Sequence, residues 1–101
     1  MAEMSYRLTS EATEDVIHIY GEGVRLFGVA QAEKYQDELE ERFELLVSHP
    51  RMARERSELT PPVRINPFGS HIFVYRVEDD DAVLIVRVRH GRENWTNDPI
   101  G

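Results

Sequence analysis

Cysteine is absent from this 101-residue chain, lysine occurs once, at Lys34, and tryptophan once, at Trp95. Without cysteine there is no disulfide framework, no thiolate nucleophile and no thiolate zinc site. Long apolar runs are missing too: the longest extend over only a few residues, far short of the roughly 20 that a spanning helix needs. Met1-Ala2-Glu3-Met4-Ser5 has neither the basic nor the apolar region of a secretory signal. The expectation is a cytoplasmic, unexported protein with no membrane partner. Positive charge is scarce, with 12 Lys+Arg against 19 Asp+Glu and a formal net charge of -7, which argues against direct DNA or RNA binding by neutralisation of phosphates. A chain of this length builds one two-layer core and not two, so residues 1–101 read as a single domain with 91–101 as its C-terminal tail.

The charge is unevenly spread. Residues 1–50 carry eleven acids and four bases, whereas 51–101 carry eight of each. Eleven of the twelve bases are arginine, and most in the second half fall in two clusters, Arg51, Arg54, Arg56, Arg64 and Arg87, Arg89, His90, Arg92. The planar guanidinium fork suits carboxylate and phosphate recognition. Codon usage in a GC-rich genome accounts for arginine in place of lysine equally well.

Met4 to Thr9 alternates apolar and polar residues, which predicts a first strand. Ser10 then reads as a helix N-cap, with Glu11, Glu14 and Asp15 in the first turns, where the positive end of the helix dipole favours acids. Ala12, Val16, Ile19, Tyr20 and Phe27 share a face, giving a helix over about 11–27. Gly28 is placed for a left-handed cap, and a second helix follows over 29–48 with Ala32, Tyr35, Leu39, Phe43 and Leu46 inward and Glu33, Asp37, Glu40, Glu41 and Glu44 outward. A one-residue break makes the pair an antiparallel hairpin. His49-Pro50 ends it, and 51–62 reads as a polar loop. Strands are expected at 63–68, 71–78 and 82–90, joined by Gly69-Ser70 and Asp79-Asp80-Asp81. The fold class is therefore α+β: an N-terminal strand, a helical hairpin and a three-strand antiparallel meander, with the hairpin on one sheet face.

The other face then needs an occupant. If 79–82 stay unpaired, 76 lies opposite 85 and 74 opposite 87. Arg76, Arg87 and Arg89 then project from one side among Ile72, Val74, Val83 and Ile85. A half-apolar, arginine-edged face is a candidate partner site; the tail or a second copy could equally cover it. No metal site is expected: His18, His49 and His71 lack gathering spacing, and the aspartate triplet lacks the ligand alternation of a calcium loop.

Taken in order, Tyr6-Arg7-Leu8-Thr9-Ser10-Glu11-Ala12 with Asp15 and Ile19, the run Ala32 to Leu46, Pro50-Arg51-Met52-Ala53-Arg54, Gly69-Ser70-His71 with Tyr75-Arg76-Val77, and Ile85-Val86-Arg87-Val88 leading to His90-Gly91-Arg92-Glu93-Asn94-Trp95 form a joint pattern. In that pattern the chain resembles the ParE toxins of the RelE/ParE superfamily of type II toxin-antitoxin systems, which take part in plasmid stabilisation. The resemblance implies a β-α-α-β-β-β fold and a hetero-oligomer with a ParD-like antitoxin, a ribbon-helix-helix protein whose flexible C-terminal segment wraps the toxin. It also implies inhibition of DNA gyrase, whereas RelE-like relatives cut messenger RNA on the ribosome. The RNase branch calls for an acid, a base, cations and a basic docking surface; a single lysine and a net charge of -7 weigh against it. His90 with Arg87, Arg89 and Arg92 stays a conceivable acid-and-cation set.

The expectation is a toxin without catalytic residues, metal or cofactor. Arg87, Arg89, His90, Arg92 and Trp95 are the candidates for target contact; Trp95 alternatively caps the core. Ile72, Val74, Arg76, Val83 and Ile85 are the candidates for antitoxin contact, by helix-in-groove docking or strand addition. Two alternatives stand beside this one: a ribosome-dependent mRNA endonuclease, and an inactive toxin fold retained in an autorepressor complex.

Overall fold

A computed structural model describes residues 6–91. Strand β1 (Tyr6–Leu8) leads into helices α1 (Ser10–Phe27) and α2 (Val29–Ser48); β2 (Glu55–Arg56), β3 (Val63–Phe68), β4 (His71–Val77) and β5 (Val83–His90) follow. They form one five-stranded sheet in the order β1-β5-β4-β3-β2. The meander β3-β4-β5 is antiparallel as expected, but β1 pairs parallel to β5, so the sheet is mixed. The helical hairpin between β1 and the meander supplies the crossover that parallel pairing requires. β2 lies inside the segment expected to be loop, and its two residues pair with Val63 and Arg64. Among the described residues no helix is long and apolar enough to cross a membrane.

Both helices have the expected spans within one residue, but the cap of α1 is Thr9 and not Ser10. The Thr9 hydroxyl accepts from the Ala12 N–H at 3.0 Å, and Thr9 has the extended backbone (φ -65°, ψ 165°) that an N-cap needs. Gly28 has the expected positive φ of 89°, yet its ψ of 166° places it outside the left-handed helical well, in a region that only glycine occupies readily. Phe27 was expected inward, but it sits at the hairpin tip and is 70% exposed. Gly23 lets the helices approach: a Cβ there would lie 3.3 Å from the Ala32 Cβ.

The β4–β5 turn sets which side chains face the helices. Only 79–81 stand outside the ladder, because the Glu78 N–H donates to the Ala82 carbonyl; Asp81 takes φ 65° and the Asp80 carboxylate accepts from the Ala82 N–H. This is a three-residue turn ending in a left-handed residue, a conformation aspartate tolerates. Arg76 therefore faces Leu84, and Tyr75 faces Ile85, one residue away from the expected register. A slip of one residue exchanges the faces. A bulge at Val86 then restores the expected pairing of Val74 with Arg87.

Consequently Val83 and Ile85, expected on the outer face, are fully buried on the helix side with Phe73, Tyr75 and Val88 against Ala12, Leu39, Phe43 and Leu46. Aromatic rings knit this layer: Phe43 and Phe73 are 4.7 Å apart, Phe68 and Phe73 5.3 Å. Each such buried ring contributes about 1.5–3 kcal/mol through transfer from water. Ile72 and Val74 belong to a second buried cluster with Val63, Ile65, Val86 and Leu59, the last carried by the segment between β2 and β3.

Candidate functional site

A cleft of about 700 Å³ opens where the helical hairpin splays from the ends of β4 and β5. Asp15, Ile19, Glu22 and Leu26 line it from α1, and their spacing of four, three and four residues sets them along one helical stripe. Tyr35 and Ala32 line it from α2, and Ser70, His71, Arg87, Val88 and His90 from the sheet. Its volume falls in the range of ordinary ligand and peptide pockets.

Two polar clusters hold its walls. The Asp15 carboxylate receives Arg87 in a forked pair, Nε at 2.7 Å and Nη2 at 3.0 Å, and also accepts the Val88 N–H at 3.0 Å. Both side chains are largely buried, at 20% and 16% exposure for Arg87 and Asp15. A planar fork on a carboxylate is the strongest of the ordinary ion-pair geometries, so Arg87 spends its charge inside the fold. The second cluster is Tyr35, whose hydroxyl lies 2.7 Å from His71 Nδ1 and 3.3 Å from the Phe68 carbonyl. The phenol has one hydrogen: it donates either to the carbonyl, with Nδ1–H donating to it, or to an unprotonated Nδ1. Burial pushes the Tyr35 phenol above its usual range, so it stays a neutral hydroxyl. Gly69 is required beneath it, since φ is +56° and a Cβ would fall 2.6 Å from the Tyr35 oxygen. The His71 and His90 rings meet edge to face at 5.4 Å.

Of the residues expected to contact the target, Arg87 and His90 line this cleft, and half-buried Arg89 lies opposite Ile72. Arg92 and Trp95 lie outside the described residues. The expected antitoxin set is not brought together: Val83 and Ile85 are in the helix-side core, Ile72 and Val74 are buried in the outer cluster, and only Arg76 is exposed. The turn register takes Val83 and Ile85 to the helix side, whereas Ile72 and Val74 keep the outer face and are buried there by packing with Leu59 and the β3 side chains Val63 and Ile65. Sequence reasoning missed Asp15, Tyr35 and His71 as cleft residues. In the sequence the helix dipole accounts for Asp15 and the apolar stripe for Tyr35, and only the fold joins either to the sheet. No group of three His, Cys, Asp or Glu residues suited to a metal occurs among the described residues.

The second arginine cluster is also largely paired. Arg54 and Arg56 share Glu58, Arg51 meets Asp81 at 2.9 Å, and Arg64 donates to the Ala53 carbonyl. Hydrogen bonds from Arg56 and then Arg54 hold the Glu58 carboxyl at about 2.

The family model described as "ParE toxin of type II toxin-antitoxin system, parDE" matches residues 6–95. Toxin ParE1 of Caulobacter vibrioides is 35% identical over 89 residues, 88% of this chain and 91% of that protein. Toxin ParE1 of Mycobacterium tuberculosis is 38% identical over 66 residues, 65% of this chain and 67% of that protein. A chain from a solved structure of the chromosomal ParDE toxin-antitoxin system of P. aeruginosa superposes with a TM-score of 0.71 at 27% identity, covering 86% of this chain and 95% of that one. The chain belongs to the ParE toxin family of type II toxin-antitoxin systems.

Proposed function

We propose that the protein is a cytoplasmic toxin that inhibits DNA gyrase by binding it, without catalysing a reaction, and that a ParD-like antitoxin neutralises it by seating an apolar segment in the cleft between the helical hairpin and the sheet. The observation that carries the binding reading is the Asp15–Arg87 pair. The arginine best placed in the cleft to stabilise phosphate charge is already neutralised by a bidentate carboxylate, while most of the surface that the cleft presents is apolar, with Ile19, Leu26, Phe27 and Val88 among the side chains that line it. Such a wall suits the apolar face of a partner segment better than a polyanion. Strand addition is less suited at β5 from 85 to 88, where Thr9 and Asp15 take up three of its backbone groups.

A second reading, ribosome-dependent mRNA cleavage, draws on Tyr35, His71 and His90, which meet in turn within the cleft, Tyr35 from α2 and the two histidines from the sheet. Induction of the toxin without its antitoxin separates the readings. Gyrase-linked DNA breaks with intact mRNA support the proposal, codon-placed mRNA cuts overturn it in favour of the second reading, and unimpaired growth points to an inactive copy retained for an autorepressor complex. Ile19→Asp and Leu26→Asp place a charge in the cleft and should abolish neutralisation by the antitoxin; unchanged neutralisation would remove the cleft from the antitoxin site. Arg92→Ala and Trp95→Ala should relieve toxicity while leaving antitoxin binding intact.

A further inference from the structure

The described residues end at the mouth of the cleft. His71 pairs with His90 at the close of the β4–β5 ladder, and the Gly91 N–H then donates to the Ser70 carbonyl at 2.8 Å. Ser70, His71 and His90 all line the cleft, so the chain leaves the described residues at the cleft wall and continues as 92–101. The first large apolar side chain beyond this exit is Trp95, four residues past Gly91. Four extended residues reach at most about 14 Å. The cleft has matching surface to offer. Ile19, Leu26, Phe27 and Val88 contribute to its lining, and Leu26 is 57% exposed; apolar surface rimmed by polar groups marks a binding groove. The carboxylates in the lining are already paired, Asp15 with Arg87 and Glu22 with Arg25, each at 2.7 Å. Tyr35, Ser70, His71 and His90 bring hydroxyl and imidazole groups to the sheet end. A neutral ring with an apolar body and a single N–H donor suits that combination, and indole is such a ring.

We propose that the C-terminal segment 92–101 turns back on the cleft and seats Trp95 in it against Ile19 and Leu26, so that the free toxin fills its own groove. The proposal concerns the toxin alone and does not rest on the gyrase or antitoxin readings. It adds one consequence to them: a partner segment that enters the cleft does so by displacing the indole. Trp95 is also the anchor of the segment that carries Arg92, which is how its loss would relieve toxicity.

Trp95 is the only tryptophan, so its fluorescence reports this seat without labelling. In the full chain the emission should lie to the blue of the same chain unfolded in urea, and acrylamide quenching should be several-fold weaker. Nuclear Overhauser contacts should join the indole ring protons to the Ile19 and Leu26 methyl groups and persist on dilution. Leu26→Asp changes an exposed position, where substitutions are usually tolerated by the fold, and should move the emission to the red with helicity by circular dichroism retained. The contacts in the unmodified protein decide the matter even where the variant fails to fold. Quenching equal to that in urea overturns the proposal, as does a shielded indole whose contacts run outside the cleft, for example to Ile72 and Val86 on the outer sheet face. Contacts that fade on dilution overturn it too, since they would belong to a second copy, and so does an emission unmoved by Leu26→Asp in folded protein.

Discussion

Replacing Thr9 by valine tests how the first strand is joined to the first helix. The substitution keeps the β-branched shape and removes only the hydroxyl. That hydroxyl accepts the Ala12 N–H at 3.0 Å and donates to the Val86 carbonyl at 2.7 Å, so one oxygen serves the helix start and the sheet edge. Losing an N-cap costs about 1 kcal/mol, and leaving a half-buried carbonyl without its donor costs about 1 kcal/mol more. Thr9→Val should therefore lower unfolding stability by about 2 kcal/mol, a fall in Tm of roughly 8–16 °C for a domain of this size. Thr9→Ser retains the hydroxyl and should lose well under 1 kcal/mol, the value of a partly buried methyl. Ser10→Ala should change stability by less than about 0.5 kcal/mol, since the Ser10 hydroxyl reaches only the exposed Glu11 carboxylate at 3.3 Å. Urea denaturation with an unchanged m-value reads all three. If Ser10→Ala cost more than Thr9→Val, the cap would be Ser10 and the dual role assigned to Thr9 would fall.

Three further outcomes follow from the packing and the charges. Phe73→Ala empties a fully buried site between Phe43 and Phe68 and should cost about 3–5 kcal/mol, enough on a stability of about 5–15 kcal/mol to show as a large loss of folded protein in urea titration. The folded Glu58 carboxyl, held at about 2 by Arg56 and Arg54, lies below its unfolded value of about 4.3. The stability it lends is thus present above pH ~4.3 and is lost as pH falls toward ~2. A carboxyl NMR titration should place the Glu58 midpoint at about 2, and Arg56→Gln should move it upward; a midpoint already in the ordinary range in the unmodified protein would refute the pairing. Gly69→Ala combines a positive φ with a clash against the Tyr35 oxygen and should cost about 1–2 kcal/mol from the backbone alone, with loss of the Tyr35–His71 contact visible in the His71 ring nitrogen shifts.

Local rules carried the elements a long way. The stripe Ala32, Tyr35, Leu39, Phe43, Leu46 and the alternation over Val63–Phe68 and His71–Val77 stand on the chain itself, and these residues pack where their spacing places them. Elements whose existence depends on a neighbour were not legible. β2 is two residues long and becomes a strand only because β3 runs beside it. The parallel sense of β1 follows from where the hairpin returns the chain. Ser10 and Thr9 are both good caps by composition, and what favours Thr9 is the second bond to Val86, 77 residues away.

The site was less legible than the fold for a related reason. Side-chain alternation has a period of two, so a strand whose turn is misjudged by one residue presents the wrong face throughout. Val83 and Ile85 show this: both are apolar, so burial on either face is consistent with their chemistry, and only the left-handed Asp81 and the Glu78–Ala82 bond select the helix side. Beyond the bulge the pairing of Val74 with Arg87 agrees with expectation even though the preceding residues do not. Yet the Arg87 side chain meets Asp15 of α1, so register alone does not say which partner a long side chain reaches at a bulge, where the strand bends and twists. The arginine cluster at 87–92 reads in the sequence as a cationic surface, whereas in the fold Arg87 is an internal clamp. For Arg87 the difference rests with a single carboxylate one and a half turns into the first helix. A cluster of like charges in a sequence is therefore a statement about surface potential only after each member's partner is known, and Asp15, 72 residues distant, is a partner that no local window contains.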